Sequence, residues 1–154
     1  QSTATDINNA AQRLISAANS GVAAGGAASY TGIDTSSFVP LLAGSNMFKS
    51  SNASGSGANA VAAGIIHRLS TDSAASLTVA STNSGATFAV TMNSVHDAAC
   101  LDLASLLQAT SVIVTINGTT AKDTTASTPA QFNGATAATN CRAGSANTLV
   151  FTFQ

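Results

Sequence analysis

The 154-residue sequence contains no Glu, no Trp, a single Tyr, two Pro and two Cys, and charged side chains make up only 7% of it. Ordinary soluble domains carry roughly 25% charged residues. Each shortage excludes something. The five cations, Arg13, Lys49, Arg68, Lys122 and Arg142, are scattered along the chain, so there is no basic cluster to face a phosphate backbone, and no nucleic-acid partner is expected. No run of ~18 apolar residues occurs, so no segment reads as a membrane span. With a net charge of −1, the surface must be built from Ser, Thr, Asn, Gly and Ala. Such a surface resists self-association weakly.

The residue types that carry chemistry are also sparse. His67, Ser70 and Asp72 lie close in sequence and His96 adjoins Asp97, but no GxSxG elbow is present. In a chain this rich in Ser and Thr, such proximity means little. His67 reads as a strand residue near the surface and Asp97 as a helix cap. The six Asp are dispersed without a calcium-loop pattern. Gly55, Gly57 and Gly64 lack the GK[ST] ending of a phosphate loop. Asn52 and Asn117 begin glycosylation sequons of the kind that chance produces in an Asn/Ser/Thr-rich chain. Neither catalysis, a metal nor a cofactor is expected.

What is present is a modest apolar complement. Leu, Ile, Val and Phe number 32 of 154, near the lower limit for a folded chain, but disorder would also require a high net charge. Length suits one domain, expected to span 1–154. Cys100 and Cys141, 41 positions apart, fit neither a CxxC nor a zinc pattern. They read either as two buried free thiols or as one disulfide. A thin core favours the disulfide, and with it an oxidising compartment.

Periodicity divides the chain. Ile7, Ala11, Leu14, Ile15, Ala18 and Val22 recur at three- and four-residue spacing and predict an amphipathic helix with one packing stripe, stopped at Gly25-Gly26. Residues 27–60 read mostly as loop. Within them Thr35-Ser36 are expected to cap a short helix, with Phe38, Val39, Leu41 and Leu42 turned to the core and Pro40 early enough to be tolerated. Ser50 to Asn59 reads as an exposed connection. Strands are predicted around Ile65-Ile66, at Leu77 and Val79, at Phe88, Val90 and Met92, at Val112, Val114 and Ile116, and at Leu149, Phe151 and Phe153. Asn83-Ser84-Gly85 and Asn117-Gly118 mark turns. Between the strands, Ala98 to Gln108 reads as a second helix with Leu103, Leu106 and Leu107 on one face and Cys100 in its first turn. The order gives an α+β fold, an N-terminal amphipathic helix on an antiparallel sheet. A Cys100–Cys141 bond would tie the second helix to the C-terminal edge of that sheet.

These residues resemble the type IV pilins, and among them the type IVb group. Val95-His96-Asp97-Ala98-Ala99-Cys100-Leu101-Asp102-Leu103 is similar to the family's passage from strand into the helix that carries the first cysteine. Val112 to Gly118 is similar to the strand and turn that follow. Asn140-Cys141 with Asn147 to Phe153 is similar to the second cysteine and closing strand. Residues 7–26 resemble the exposed half of the family's long first helix, which makes 1–26 helix and 27–154 head domain. The hydrophobic half-helix of the family does not occur in this sequence, as in a soluble fragment.

The resemblance implies a self-assembling subunit of an extracellular bacterial filament, held in the inner membrane before assembly through the missing N-terminal segment. It serves adhesion, aggregation or cell contact, with a host or bacterial surface receptor as a further partner. The alternative is a ligand-binding relative: a minor pilin, a pseudopilin or a secreted adhesin domain. The region bounded by the cysteines, with Lys122, Asp123 and Phe132, is the expected interaction surface.

Overall fold

A computed structural model describes residues 3–20, 29–42, 45–51, 64–69 and 75–154. The fold is α+β, as expected. Helix α1 spans Thr3–Ser20, α2 Thr35–Leu42, α3 Asp97–Leu107 and α4 Gly134–Asn140. Strands are β1 Phe48–Ser51, β2 Gly64–His67, β3 Ser76–Thr82, β4 Thr87–Val95, β5 Ile113–Ile116, β6 Thr119–Asp123 and β7 Asn147–Phe153. All seven form one antiparallel sheet in the order β1-β2-β3-β4-β7-β5-β6. The closing strand β7 therefore lies inside the sheet, between β4 and β5, and not at its edge.

Alternation decides the sheet's inner face. Leu77 and Val79, Phe88, Val90 and Met92, Val114 and Ile116, and Leu149, Phe151 and Phe153 are all buried. They share one core cluster with Ile7 and Ala11 of α1, Phe38 and Leu42 of α2, and Leu103 and Leu107 of α3, so these helices cover a single face. Phe88 is the hub of an aromatic group. Its ring lies 4.9 Å from Tyr30, 5.4 Å from Phe153 and 6.3 Å from Phe38. Burial raises the pKa of the Tyr30 phenol.

Along the expected α1 stripe, Ile7 and Ala11 are buried while Leu14, Ile15 and Ala18 are partly buried against the core; Val22 falls outside the described residues. Both turns form with left-handed backbone. Asn83, Ser84 and Gly85 have φ of 50°, 53° and 89°. Gly85 is required twice over, because a Cβ there would meet the Thr31 hydroxyl at 2.2 Å. Asn117 and Gly118, at φ 51° and 84°, make the two-residue β5–β6 hairpin turn.

Several local readings are corrected. α2 is capped by Asp34, whose carboxylate accepts from the Ser36 N–H, while the Thr35 hydroxyl accepts from Val79 N–H of β3 at 3.1 Å. Pro40 is exposed and sits late in α2, not early. The supposed loop before residue 52 contains β1, and β6 and α4 lie in what reads as loop between the cysteines. His67 is buried, not near the surface. Its Nδ1 accepts from Leu69 N–H at 3.2 Å, so Nε2 carries the proton and donates to Asn93 O at 2.6 Å. Burial lowers its pKa, with the Asn93 bond acting the other way, and the ring is held neutral as part of the core.

Candidate functional site

The region between the cysteines is built on α3. Its N-terminus is capped by His96, whose Nδ1 accepts from Ala98 N–H at 3.1 Å. Asp97 is thus the first helical residue and not the cap; its carboxylate lies 2.8 Å from the same His96 nitrogen. The buried face of α3 is Cys100, Leu103, Ala104 and Leu107, a three- and four-residue rhythm. Leu106 is off that face and 60% exposed.

Cys100 and Cys141 are joined, with Cα atoms 5.9 Å apart. Cys141 is the C-cap of α4, so the bond staples α3 to α4 and to the loop that leads into β7.

That loop is also held by Asn147, a residue that sequence reasoning did not single out. It is fully buried, and every hydrogen-bonding group of its amide is used. Its Nδ2 donates to Val95 O at 3.1 Å and Arg142 O at 2.8 Å. Its Oδ1 accepts from Arg142 N–H at 2.7 Å and from Asn117 Nδ2 at 2.9 Å. Asn117 extends the network: it donates to Asn140 O at 2.7 Å and accepts from Thr148 N–H at 2.9 Å. The two amides together therefore tie β4, the β5–β6 turn and both sides of Cys141 to the first residue of β7. The Asn117 side chain is committed to this structural role, whatever its sequon suggests; Asn52 lies outside the described residues.

The structure separates the three residues of the expected interaction surface. Lys122 is not exposed. It is 8% accessible, and its ammonium donates to Gln108 O and, at 2.8 Å, to Ser111 O. The Gln108 carbonyl belongs to the C-cap of α3, where helices leave acceptors unpaired and favour a cation. Lys122 thus closes the C-terminal end of α3 and is corrected from surface to core. Asp123 is half-buried. Its Oδ1 accepts from the Thr125 hydroxyl at 2.6 Å and from the Thr125 and Ala126 N–H groups, and the Thr125 hydroxyl in particular lowers its pKa. Phe132 is half-buried against the core.

Replacing Lys122 with Met is expected to lower the unfolding free energy by about 1.5–3 kcal/mol, the range for hydrogen bonds to a charged group. Urea denaturation of the purified chain checks this; an unchanged midpoint would mean a solvated lysine.

Among the described residues, no Ser, His and Asp come together as a catalytic triad would require. His67 is spent on two backbone groups, and Ser70 and Asp72 lie outside the described residues. Among the described residues no group of three or more His, Cys, Asp or Glu is placed to hold a metal ion, and no helix is long and apolar enough to cross a membrane.

What the geometry defines is an α+β domain: an amphipathic helix over an antiparallel sheet, with a disulfide framing one flank. The family model described as PilS N terminal matches residues 26–154, and the chain belongs to that family. A type IVb pilin from Salmonella typhi, known from its crystal structure, has the same fold: TM-score 0.63 at 22% identity, over 98% of this chain and 97% of that one. Comparison with curated proteins gave no match. The resemblance to type IVb pilins is thus borne out in family and fold.

Proposed function

We propose that the protein is a structural subunit of a type IVb bacterial surface filament, acting by self-assembly. The observation that carries this reading is a family match that takes in nearly the whole head, joined to a fold shared end to end with a type IVb pilin. The composition supports it. A surface with so little charge is a liability for a solitary protein and suits one that buries its flanks against copies of itself.

The filament lies outside the cell, and the subunit waits in the inner membrane until it is added. Adhesion, aggregation or contact between cells is the use to which such a filament is put. A host or bacterial surface receptor would be the second partner.

The test is antibody labelling of sheared surface filaments from cells carrying the gene. Label along the filament length, with filaments lost on gene deletion, is the expected result. Unlabelled filaments that persist in the deletion strain would overturn the proposal.

A further inference from the structure

Three large hydrophobic side chains are exposed among the described residues, and two of them, Leu101 and Leu106, stand on α3. The helix forms a ridge between two apolar grooves. One, of about 350 Å³, runs between α3 and the N-terminal end of α1, with Ala4, Met47, Leu69 and Leu106 on its walls. The other, of about 520 Å³, lies between α3 and α4, with Leu101, Ala138, Cys141 and Ala143 on its walls.

Asp102 sits on the crest of this ridge and is exposed. Among the described carboxylates, Asp6 is bonded to Ser45, Asp34 to Ser36 and Asp123 to Thr125, and Asp97 lies against the His96 ring. Asp102 has no hydrogen-bond or ion-pair partner there. An apolar ridge with one unmatched anion at its centre fits a partner that brings apolar or small polar surface and a single cation.

The chain itself carries such a surface. The outward face of α1 presents Asn9, Gln12, Arg13 and Ser16 around a shallow depression. Arg13 is exposed and has no partner among the described residues. Lys49, Arg68 and Arg142 each lie within two positions of Met47, Leu69 or Cys141, which wall the grooves. None of those three lines either groove. Arg13 is nine residues beyond Ala4 on α1, about 13 Å along the helix, on a different face of the molecule.

We propose that the α3 ridge is one half of a head-to-tail contact, covered by the α1 face of a second copy with its Arg13 against Asp102. Because the two faces differ, the contact is heterologous, and repeated without closure it generates an open helical polymer. With charge so scarce, this pair serves to fix the register of neighbouring copies. The inference rests on the filament reading and names the surfaces that reading leaves open.

The test is charge reversal in cells assembling the native protein. Arg13→Asp and Asp102→Arg are each expected to cut filament yield at least tenfold, and the double reversal to restore most of it. Unchanged melting temperatures of the purified variants would show that the fold survives. As an independent readout, Arg13→Cys combined with Asp102→Cys should give ladders of cross-linked subunits on non-reducing gels. Normal yield from both single reversals, with no ladder, would overturn the contact while leaving the filament reading intact. Loss in both without rescue or ladder would also overturn it. Absence of this protein from the filaments of unmodified cells would overturn both.

Discussion

Replacing Cys100 and Cys141 together with Ala lowers the unfolding free energy by about 4 kcal/mol in the chain-entropy model for a loop of this length. Typical domains have about 5–15 kcal/mol in total, and this one builds its core from few large side chains. The bond also has a local consequence. It ties α3 to the end of α4, whose own buried face is Ala137 alone. The loss is therefore expected to concentrate there. Hydrogen exchange should show α4 and the Cys141 loop exchanging by local opening in the variant, while β3 and β4 still exchange only by global unfolding. Equal denaturation midpoints for the oxidised wild type and the double variant would show that the bond is dispensable.

Asn147→Ala is expected to cost about 3–5 kcal/mol. The estimate follows from what is left behind: Val95 O, Arg142 O, Arg142 N–H and Asn117 Nδ2 lose their shared partner, at about 1–3 kcal/mol for each buried group that finds no water. Asn147→Asp separates donors from acceptors. It keeps two accepting contacts but turns a carboxylate toward the carbonyls of Val95 and Arg142. Its stability should therefore fall as pH rises through the carboxyl's titration, because the buried anion is the costly form. Denaturation curves at two pH values measure this. An Ala variant within about 1 kcal/mol of wild type would mean that water replaces the amide.

These two effects illustrate what a single sequence discloses. The strands next to the core were legible because half-buried strands alternate: Leu77 and Val79, Phe88, Val90 and Met92, Leu149, Phe151 and Phe153 announce both their element and their inner face. The edge strands were not. β1 reads FKSS and β6 reads TTAKD, with too few apolar residues to set a period. In β6 the register shifts opposite Val114 and Thr115, which leaves Ala121 and Lys122 both buried, and strict alternation does not anticipate that. On α3 the three leucines outweighed the smaller Cys100 and Ala104, although the smaller pair completes the buried rhythm. α4, GATAATN, offers a packing face of one alanine. Asn147 had no signal at all, being one Asn in a chain full of them. Its importance lies in four partner groups, of which those on Val95 and Asn117 are distant in sequence.

The cysteine pair was legible, but Lys122, expected at an interaction surface, is buried. A lysine in a Thr-rich stretch looks solvated. Here a helix end supplies carbonyls that need a cation, and the strand turns Lys122 toward them. The exposed features instead lie on the outward side of α3, at Leu101, Asp102 and Leu106.

The order of strands has a consequence for biogenesis. β1 to β4 form one continuous meander and β5 and β6 a separate hairpin, and the two are joined in the sheet only by β7. β7 follows all of them along the chain. A nascent polypeptide thus holds two half-sheets with open flanks until the last segment arrives and is threaded between them. A molecule clipped before Asn147 lacks the seam of its sheet, leaving the β1–β4 meander and the β5–β6 hairpin with no strand to join them.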